Sequence, residues 1–176
     1  MTGYSEVLYV IFAMTIVSTM ALNANRFIQV NNYTMVEGQL EEQVIAYSQN
    51  IIEESRALAF DEATTYDATG NSTVPVYIPN GFSGLGTDSE AGRTQFDDFD
   101  DFNGFSETIN IAGVDYDVNV VVEYVVTSDF ETYSKTFNKS TLKRITVNME
   151  SDFLKKNQNS DNTNYNFSFI RSYYAD

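Results

Sequence analysis

The sequence predicts an α+β protein in which a long N-terminal α-helix packs on a C-terminal antiparallel β-sheet head. The first 60 residues contain no proline and only two glycines, Gly3 and Gly38, as a continuous helix requires. Both prolines and the other glycines lie between Gly70 and Gly113, where loops and turns are expected. Beyond Gly113, apolar and polar residues alternate with the period of a strand that buries one face.

Composition limits the function classes that need to be considered. The 176 residues are enough for one domain with an appendage, and 43% hydrophobic residues are enough for a core. The absence of Cys and His excludes disulfides, Cys/His zinc sites and nucleophile–imidazole pairs. The net charge of −15 argues against a nucleic-acid partner, because phosphates require basic surfaces. An enzyme is therefore the least expected class.

The first half of the helix, residues 1–28, is predicted to be a hydrophobic segment. Residues 7–22 form a run of sixteen without charge, glycine or proline. Such a run fits a buried core helix, a signal peptide or a helix that enters a membrane. A signal peptide is disfavoured because the first basic side chain is Arg26. Removal of a short basic leader before Met1 would explain the missing orientation signal.

The second half, residues 29–60, is predicted to be the amphipathic continuation of the same helix. Its apolar residues recur at spacings of three, four and seven, which mark one side of a helix. These residues are Tyr33, Val36, Leu40, Val44, Tyr47, Ile51 and Leu58. A helix over 4–58 would be roughly 80 Å long, more than a head of this size can bury. The apolar half must therefore enter lipid or pack against other copies of the chain.

The head, residues 61–176, is predicted to be an antiparallel sheet preceded by a long loop over 79–106. A short edge strand is expected at 74–78, where Pro75 removes a hydrogen-bond donor. Four further strands are expected at 107–112, 114–128, 142–153 and 165–174. The first two flank Gly113 as a hairpin, and the short connections favour antiparallel neighbours.

A turn rich in Phe and Asp, residues 96–105, is a candidate metal site. Its aromatics occupy every third position, so that a tight helical turn would place the carboxylates on the other sides. Clustered oxygen atoms suit a hard cation such as Ca²⁺, although the spacing is not that of an EF-hand. A surface turn anchored by Phe, with its Asp side chains in water, is the favoured interpretation. The possible calcium ligands are Asp97, Asp98, Asp100, Asp101 and Asn103.

Glu6 is the only charged side chain among the first 25 residues. A carboxylate costs about 2.5–3.5 kcal/mol at the centre of a bilayer and less near its edge. An amino terminus, including that of a neighbouring copy, could pair with it when copies pack with a fixed axial offset. A glutamate hydrated at the membrane surface is the alternative interpretation.

This combination of features resembles the type IV pilin-like family, which comprises pilins and pseudopilins. The resemblance lies in the apolar segment 1–22 with its Glu6, and also in DDFNGF (100–105) and KRITVNM (143–149). It implies cleavage by a prepilin peptidase, often methylation of the new amine, and assembly into a helical filament of identical subunits. Glu6 would contact a neighbour's amino terminus. The implied assembly residues are Met1, Glu6, Val7, Leu8, Val10, Ile11, Phe12, Ile16, Val17 and Leu22.

Three departures from the family leave its branch open. The family's glutamate usually stands one place nearer the new terminus than Glu6 stands to Met1, so the mature chain begins at Met1 or Thr2. The helix-breaking proline and the C-terminal disulfide of many pilins are absent. The expected function is a surface filament subunit, drawn from an inner-membrane pool, whose head serves surface contact or adhesion. The alternatives are a pseudopilin of a type II secretion system and a single-pass, membrane-anchored binding domain.

Overall fold

A computed structural model describes residues 3–66, 69–71, 73–87, 90–151 and 163–175. One helix, α1 (Gly3–Ala57), is followed by short 3-10 helices at Glu62–Thr64, Arg93–Gln95 and Asp100–Phe102. The strands are β1 (Ser106–Ile111), β2 (Val114–Val126), β3 (Ser134–Lys135), β4 (Leu142–Ser151) and β5 (Thr163–Ser172). The predicted α+β class is confirmed.

The chain divides into two compact units, Met1–Glu42 and Gln43–Asp176. The described part of the first unit is helical throughout, and its residues 3–36 are all exposed. The second unit contains the last part of α1, the 3-10 helices and the sheet, and it is called the head below.

The sheet of the head has the order β1-β2-β4-β5, with all neighbours antiparallel, and β3 pairs with the end of β2. Ile111 pairs with Val114, so Ala112 and Gly113 form a two-residue hairpin turn. Both have positive φ angles, 52° and 85°, which a type I′ turn requires. The hairpin predicted at Gly113 is confirmed.

The core of the head lies between the sheet and residues 43–57 of α1. The helix contributes the side chains of Val44 and Ile51, both fully buried, at the helical spacing of seven. The sheet contributes alternate residues of two strands, because every second side chain of a strand points to the same face. These residues are Tyr116, Val118, Val120, Val122, Ile145, Val147 and Met149. This part of the predicted amphipathic stripe is therefore buried as expected.

The predicted edge strand at 74–78 is wrong. The described residues there form bends and a turn, and Gly81 N donates a hydrogen bond to Tyr77 O. Val74, Val76 and Tyr77 are exposed, so these apolar side chains have no buried surface on which a strand could form. The two-residue β3 was not predicted. The other four strands lie within about two residues of their predicted positions where the structure describes them.

Candidate functional site

The apolar segment of α1 presents its hydrophobic side chains to solvent. None of its most apolar eighteen-residue window is buried, and by length and composition this helix could cross a membrane. The predicted assembly residues in it are between 47% and 69% exposed. They are Val7, Leu8, Val10, Ile11, Phe12, Ile16, Val17 and Leu22. Contiguous apolar surface of this extent is typical of an interaction surface.

Two threonine hydroxyls in this segment are satisfied by the helix itself. Thr15 donates to the carbonyl oxygen of Ile11 at 2.8 Å, and Thr19 donates to that of Ile16 at 2.8 Å. Such bonds to the preceding turn satisfy these two threonine hydroxyls without water. The segment can therefore be transferred to dry surroundings without stranding these polar groups.

One face of the segment carries a shallow groove with small side chains. Ala13 and Ser18 lie in it, and small residues allow a second helix to approach closely. The groove is lined by Val10, Ala13, Met14, Val17 and Ser18.

Glu6 lies in the first turn of α1, where a carboxylate is favoured by the unpaired backbone N–H groups. No ion pair among the described residues involves Glu6. Met1, the first of the predicted assembly residues, lies outside the described residues. Glu6 therefore lies at the edge of the apolar segment.

The head contains a second notable feature, a buried charge cluster formed by Lys143, Asp61, Asp98 and Asp100. The side chain of Lys143 has no solvent exposure. Its Nζ donates to Phe60 O at 2.8 Å, to Asp61 Oδ2 at 2.8 Å and to Asp100 Oδ1. These contacts join the two segments singled out by the resemblance, DDFNGF and KRITVNM.

Asp61 is held by its position at the start of the 3-10 helix Glu62–Thr64. Its Oδ1 accepts hydrogen bonds from Ala63 N at 3.1 Å and from Ser83 N at 2.7 Å. The carboxylate therefore caps this helix with one oxygen and binds the Lys143 ammonium with the other.

The turn at 96–105 directs three of its carboxylates inward. Asp98 Oδ1 accepts from Asp100 N at 2.7 Å and from Asp101 N at 3.1 Å. Asp101 Oδ2 accepts from Asp97 N at 2.9 Å and from Asp98 N at 3.1 Å. Asp98, Asp100 and Asp101 are at most 2% exposed, whereas Asp97 is exposed. The expectation of solvated Asp side chains is thus correct for Asp97 and wrong for the other three.

Burial changes the proton affinity of these carboxyls. Burial, reinforced by the charge of Asp100, raises the pKa of Asp98 to about 8. Burial also raises the pKa of Asp100 to about 6, and the adjacent Lys143 limits that rise. Burial therefore favours the protonated form of Asp98.

Other contacts engage four of the five candidate calcium ligands: Asp98, Asp100, Asp101 and Asn103. Asn103 Oδ1 accepts from Val122 N at 3.0 Å, and Asp100 binds Lys143 and accepts from Gly86 N. In the part of the chain that the structure describes, no group of three or more acidic residues could hold a metal ion. The turn is instead stabilised by its own backbone and by a buried cation.

Aromatic rings enclose the Lys143 ammonium. Its Nζ lies 4.6 Å from the ring centroid of Phe60, 5.5 Å from that of Tyr124 and 6.0 Å from that of Phe82. Phe60 and Phe82 also pack on each other, with centroids 5.2 Å apart. These rings stabilise the cation and exclude water from the cluster.

Arg171 on β5 fixes the end of α1 within the head. Its Nη1 donates to Leu58 O at 2.8 Å and to Ala59 O at 3.0 Å, the two residues that directly follow α1. Its guanidinium also lies over the Phe99 ring, 5.6 Å from the centroid. The sequence reasoning missed both Lys143 and Arg171. The signal for Lys143 was its strand phase, which it shares with the buried Ile145 and Val147.

Comparison with known proteins gives no match to a family model, to a curated protein or to a solved structure.

Proposed function

We propose that this protein is a structural subunit of a type IV pilus-like filament. One observation carries the proposal: the sixteen uncharged residues 7–22 are exposed along a helix whose later part, residues 43–57, is built into the core of the head. The apolar surface of residues 7–22 therefore needs cover from outside the subunit.

Other copies of the same helix are the proposed final cover. Burial of a large apolar side chain contributes about 1.5–3 kcal/mol, so burying several of those in 7–22 contributes on the order of 10 kcal/mol before ordering costs. The groove containing Ala13 and Ser18 gives a second helix room for close contact. A membrane provides equivalent cover before assembly, and an external machinery would move the subunit from lipid into the filament.

Glu6 would set the register between copies. Pairing with the amino terminus of a neighbour satisfies the carboxylate, whereas a shifted register leaves it unpaired in apolar surroundings. Processing by a prepilin peptidase would supply that amino terminus. The filament would display the acidic head on its outside, where it could contact surfaces.

The experiment compares Glu6→Ala with Glu37→Ala in cells that produce the full chain together with its assembly machinery. Glu37 lies on the same helix beyond the apolar segment, so its replacement controls for the loss of a carboxylate. Filaments are counted by electron microscopy, and the membrane-held subunit is quantified by immunoblot. Glu6→Ala should abolish filaments and preserve the membrane pool, while Glu37→Ala should preserve both.

Two results would overturn the proposal. If the Glu6→Ala variant forms filaments as abundantly as the wild type does, Glu6 does not set the register between copies. A wild-type preparation that contains only dispersed molecules in the absence of detergent would support a monomeric anchored domain. Deletion that abolishes protein export without removing surface filaments would identify the pseudopilin alternative.

A further inference from the structure

Amide formation between a lysine and an aspartate requires conditions that water normally prevents. In water the amine is protonated and the acid ionised, so neither is reactive. The reaction becomes feasible when the two groups are held in contact, water is excluded, and a nearby acid can transfer protons. The buried charge cluster of the head meets each of these conditions.

Contact is provided by the fold. Lys143 Nζ donates a hydrogen bond directly to Asp100 Oδ1, and neither side chain has any solvent exposure. One group is on β4 and the other on the 3-10 helix Asp100–Phe102, so the sheet and the turn fix their relative position.

Exclusion of water is provided by the aromatic rings around Nζ. Phe60 and Phe82 are 2% exposed and Tyr124 is 5% exposed, and all three rings lie within 6.0 Å of the Lys143 nitrogen. Exclusion of water removes the hydration that normally keeps an ammonium and a carboxylate charged. The water released by the reaction would not readily re-enter this site.

The nearby acid is Asp98. It is 1% exposed, and its Oδ1 is fixed by the backbone N–H of Asp100 at 2.7 Å. Its other oxygen, Oδ2, is buried and has no hydrogen-bond partner among the described residues. Burial raises the pKa of this carboxyl to about 8, which favours the protonated form that a proton-transfer group needs.

Asp61 is the competing carboxyl, and its contacts favour Asp100 as the reacting group. Two backbone N–H groups bind Asp61 Oδ1 and fix its carboxylate at the start of the 3-10 helix Glu62–Thr64. Asp100 accepts one backbone bond, from Gly86 N at 3.3 Å. Asp61 therefore positions Lys143 and Asp100 provides the carbon that is attacked.

We propose that Lys143 and Asp100 condense to an intramolecular isopeptide bond, with Asp98 as the proton-transfer group. Lys143 first gives one proton to the Asp100 carboxylate, which yields an amine and a carboxylic acid. The Nζ lone pair then attacks Cγ of Asp100. Asp98 protonates the departing hydroxyl and recovers a proton from the nitrogen. One C–N bond forms, one C–O bond breaks, one water leaves, and Asp98 ends as it began.

The cross-link would do in this head what a disulfide does in others. The chain has no Cys, and the bond would close the sequence between Asp100 and Lys143, which includes β1, β2 and β3. The proposal concerns the head alone and does not rest on the proposed filament, so either can fail without the other.

The test is peptide mapping of the purified full-length protein after denaturation and digestion with trypsin. Trypsin does not cleave after a lysine whose amine is acylated, so Lys143 should remain uncut. The expected product joins peptide 94–135 to peptide 140–144, and its mass is lower than the sum of the two peptide masses by one water. Fragmentation should place the bond at Asp100.

Variants test the roles of the individual groups. Lys143→Met should abolish the joined peptide, whereas Lys135→Met, which removes an exposed lysine, should preserve it apart from the altered cleavage. Asp98→Asn should slow bond formation by about 100-fold or more, measured over time on freshly synthesised full chain. Asp97→Asn, an exposed neighbour in the same turn, should have no effect on that rate.

Three outcomes would overturn the proposal or one of its parts. Wild-type protein that releases peptide 140–143 and an unmodified 94–135 in full yield overturns the proposal. A joined peptide that contains residues 57–93 assigns the bond to Asp61 and overturns the choice of Asp100. An unchanged rate in Asp98→Asn overturns the role of Asp98.

Discussion

The ammonium nitrogen of Lys143 lies 2.8 Å from Asp61 Oδ2, and neither side chain is exposed to solvent. This contact joins the middle of the sheet to the segment that follows α1. A buried ion pair is not by itself a source of large net stability, because both groups lose their hydration. Once the fold has buried one partner, however, removing the other leaves an uncompensated charge. The cluster therefore makes the head sensitive to single substitutions.

Asp61→Ala should lower the free energy of unfolding of the head by about 3–5 kcal/mol while Lys143 carries its charge, before any condensation with Asp100. The variant removes one partner of Lys143 and also leaves the N–H groups of Ala63 and Ser83 without their acceptor. Urea denaturation followed by circular dichroism would measure the change. The matched control is Asp97→Ala, whose side chain is exposed and which should change stability by less than about 0.5 kcal/mol. Equal effects of the two substitutions would contradict the energetic role of the buried cluster.

The stability of the head should fall as pH rises from about 5 to 8. Burial raises the pKa of Asp98 to about 8, whereas an aspartate in the unfolded chain has a pKa of about 3.9. Between these values the folded state holds a proton that the unfolded state has released. Unfolding is therefore favoured by at most about 1.4 kcal/mol for each pH unit, and this contribution is fully retained only below about pH 4.

Thermal unfolding at several pH values, compared with Asp98→Asn, would isolate this effect from general charge repulsion. The groups whose charges act on Asp98 are Asp100, Asp101 and Lys143, and all three stay in the variant. The variant should have a shallower pH dependence than the wild type, while Asp97→Asn keeps the original slope. Identical slopes in all three proteins would show that Asp98 does not hold a proton.

Arg171→Ala should destabilise the end of α1 within the head by about 2–3 kcal/mol. The guanidinium donates charge-assisted hydrogen bonds to Leu58 O and Ala59 O, and its removal leaves these carbonyls without that donor. Hydrogen exchange of the amides near residue 57 should accelerate. Arg56→Ala is the control, since its pair with Glu53 is exposed and contributes less than about 1 kcal/mol. Similar exchange in both variants would rule out the anchoring role of Arg171.

Val17→Asp should abolish assembly and leave the head unchanged in stability. Val17 is 65% exposed on α1, so the substitution disturbs no packing within the subunit. A carboxylate at this position would cost about 2.5–3.5 kcal/mol in apolar surroundings, whether these are lipid or neighbouring helices. Electron microscopy and thermal unfolding would measure the two effects. Asn25→Asp, beyond the apolar run, should still assemble, and filaments of normal abundance from Val17→Asp would contradict the proposed function.

The helix and the main strands were predictable because their signals are local. The prediction of a helix over 4–58 agrees closely with the observed Gly3–Ala57, since helical periodicity and the absence of proline act within a few turns. The hairpin at Gly113 followed from turn chemistry in the same way. The strand predicted at 74–78 failed because β-propensity is realised only on a surface that buries one side of the strand.

The charge cluster was not predicted, because burial of a charged side chain depends on partners from distant parts of the chain. The turn that contains Asp98, Asp100 and Asp101 is rich in acidic residues, which is typical of a solvated turn. Nothing within it indicates a contact with Lys143. Lys143 had one indicator, its place among the inward residues of β4, where a lysine requires buried acceptors.

The sequence alone determined the long helix, its apolar first half and the alternation of the sheet, because each depends on residues a few positions apart. The tertiary structure decided which charges are buried, how Arg171 anchors the helix end, and that Lys143 contacts Asp61 and Asp100. These contacts span up to 116 residues of chain, as between Arg171 and Ser55 O. The free energy of a buried charge is set by the partners that the completed fold brings to it, and no local pattern contains that information.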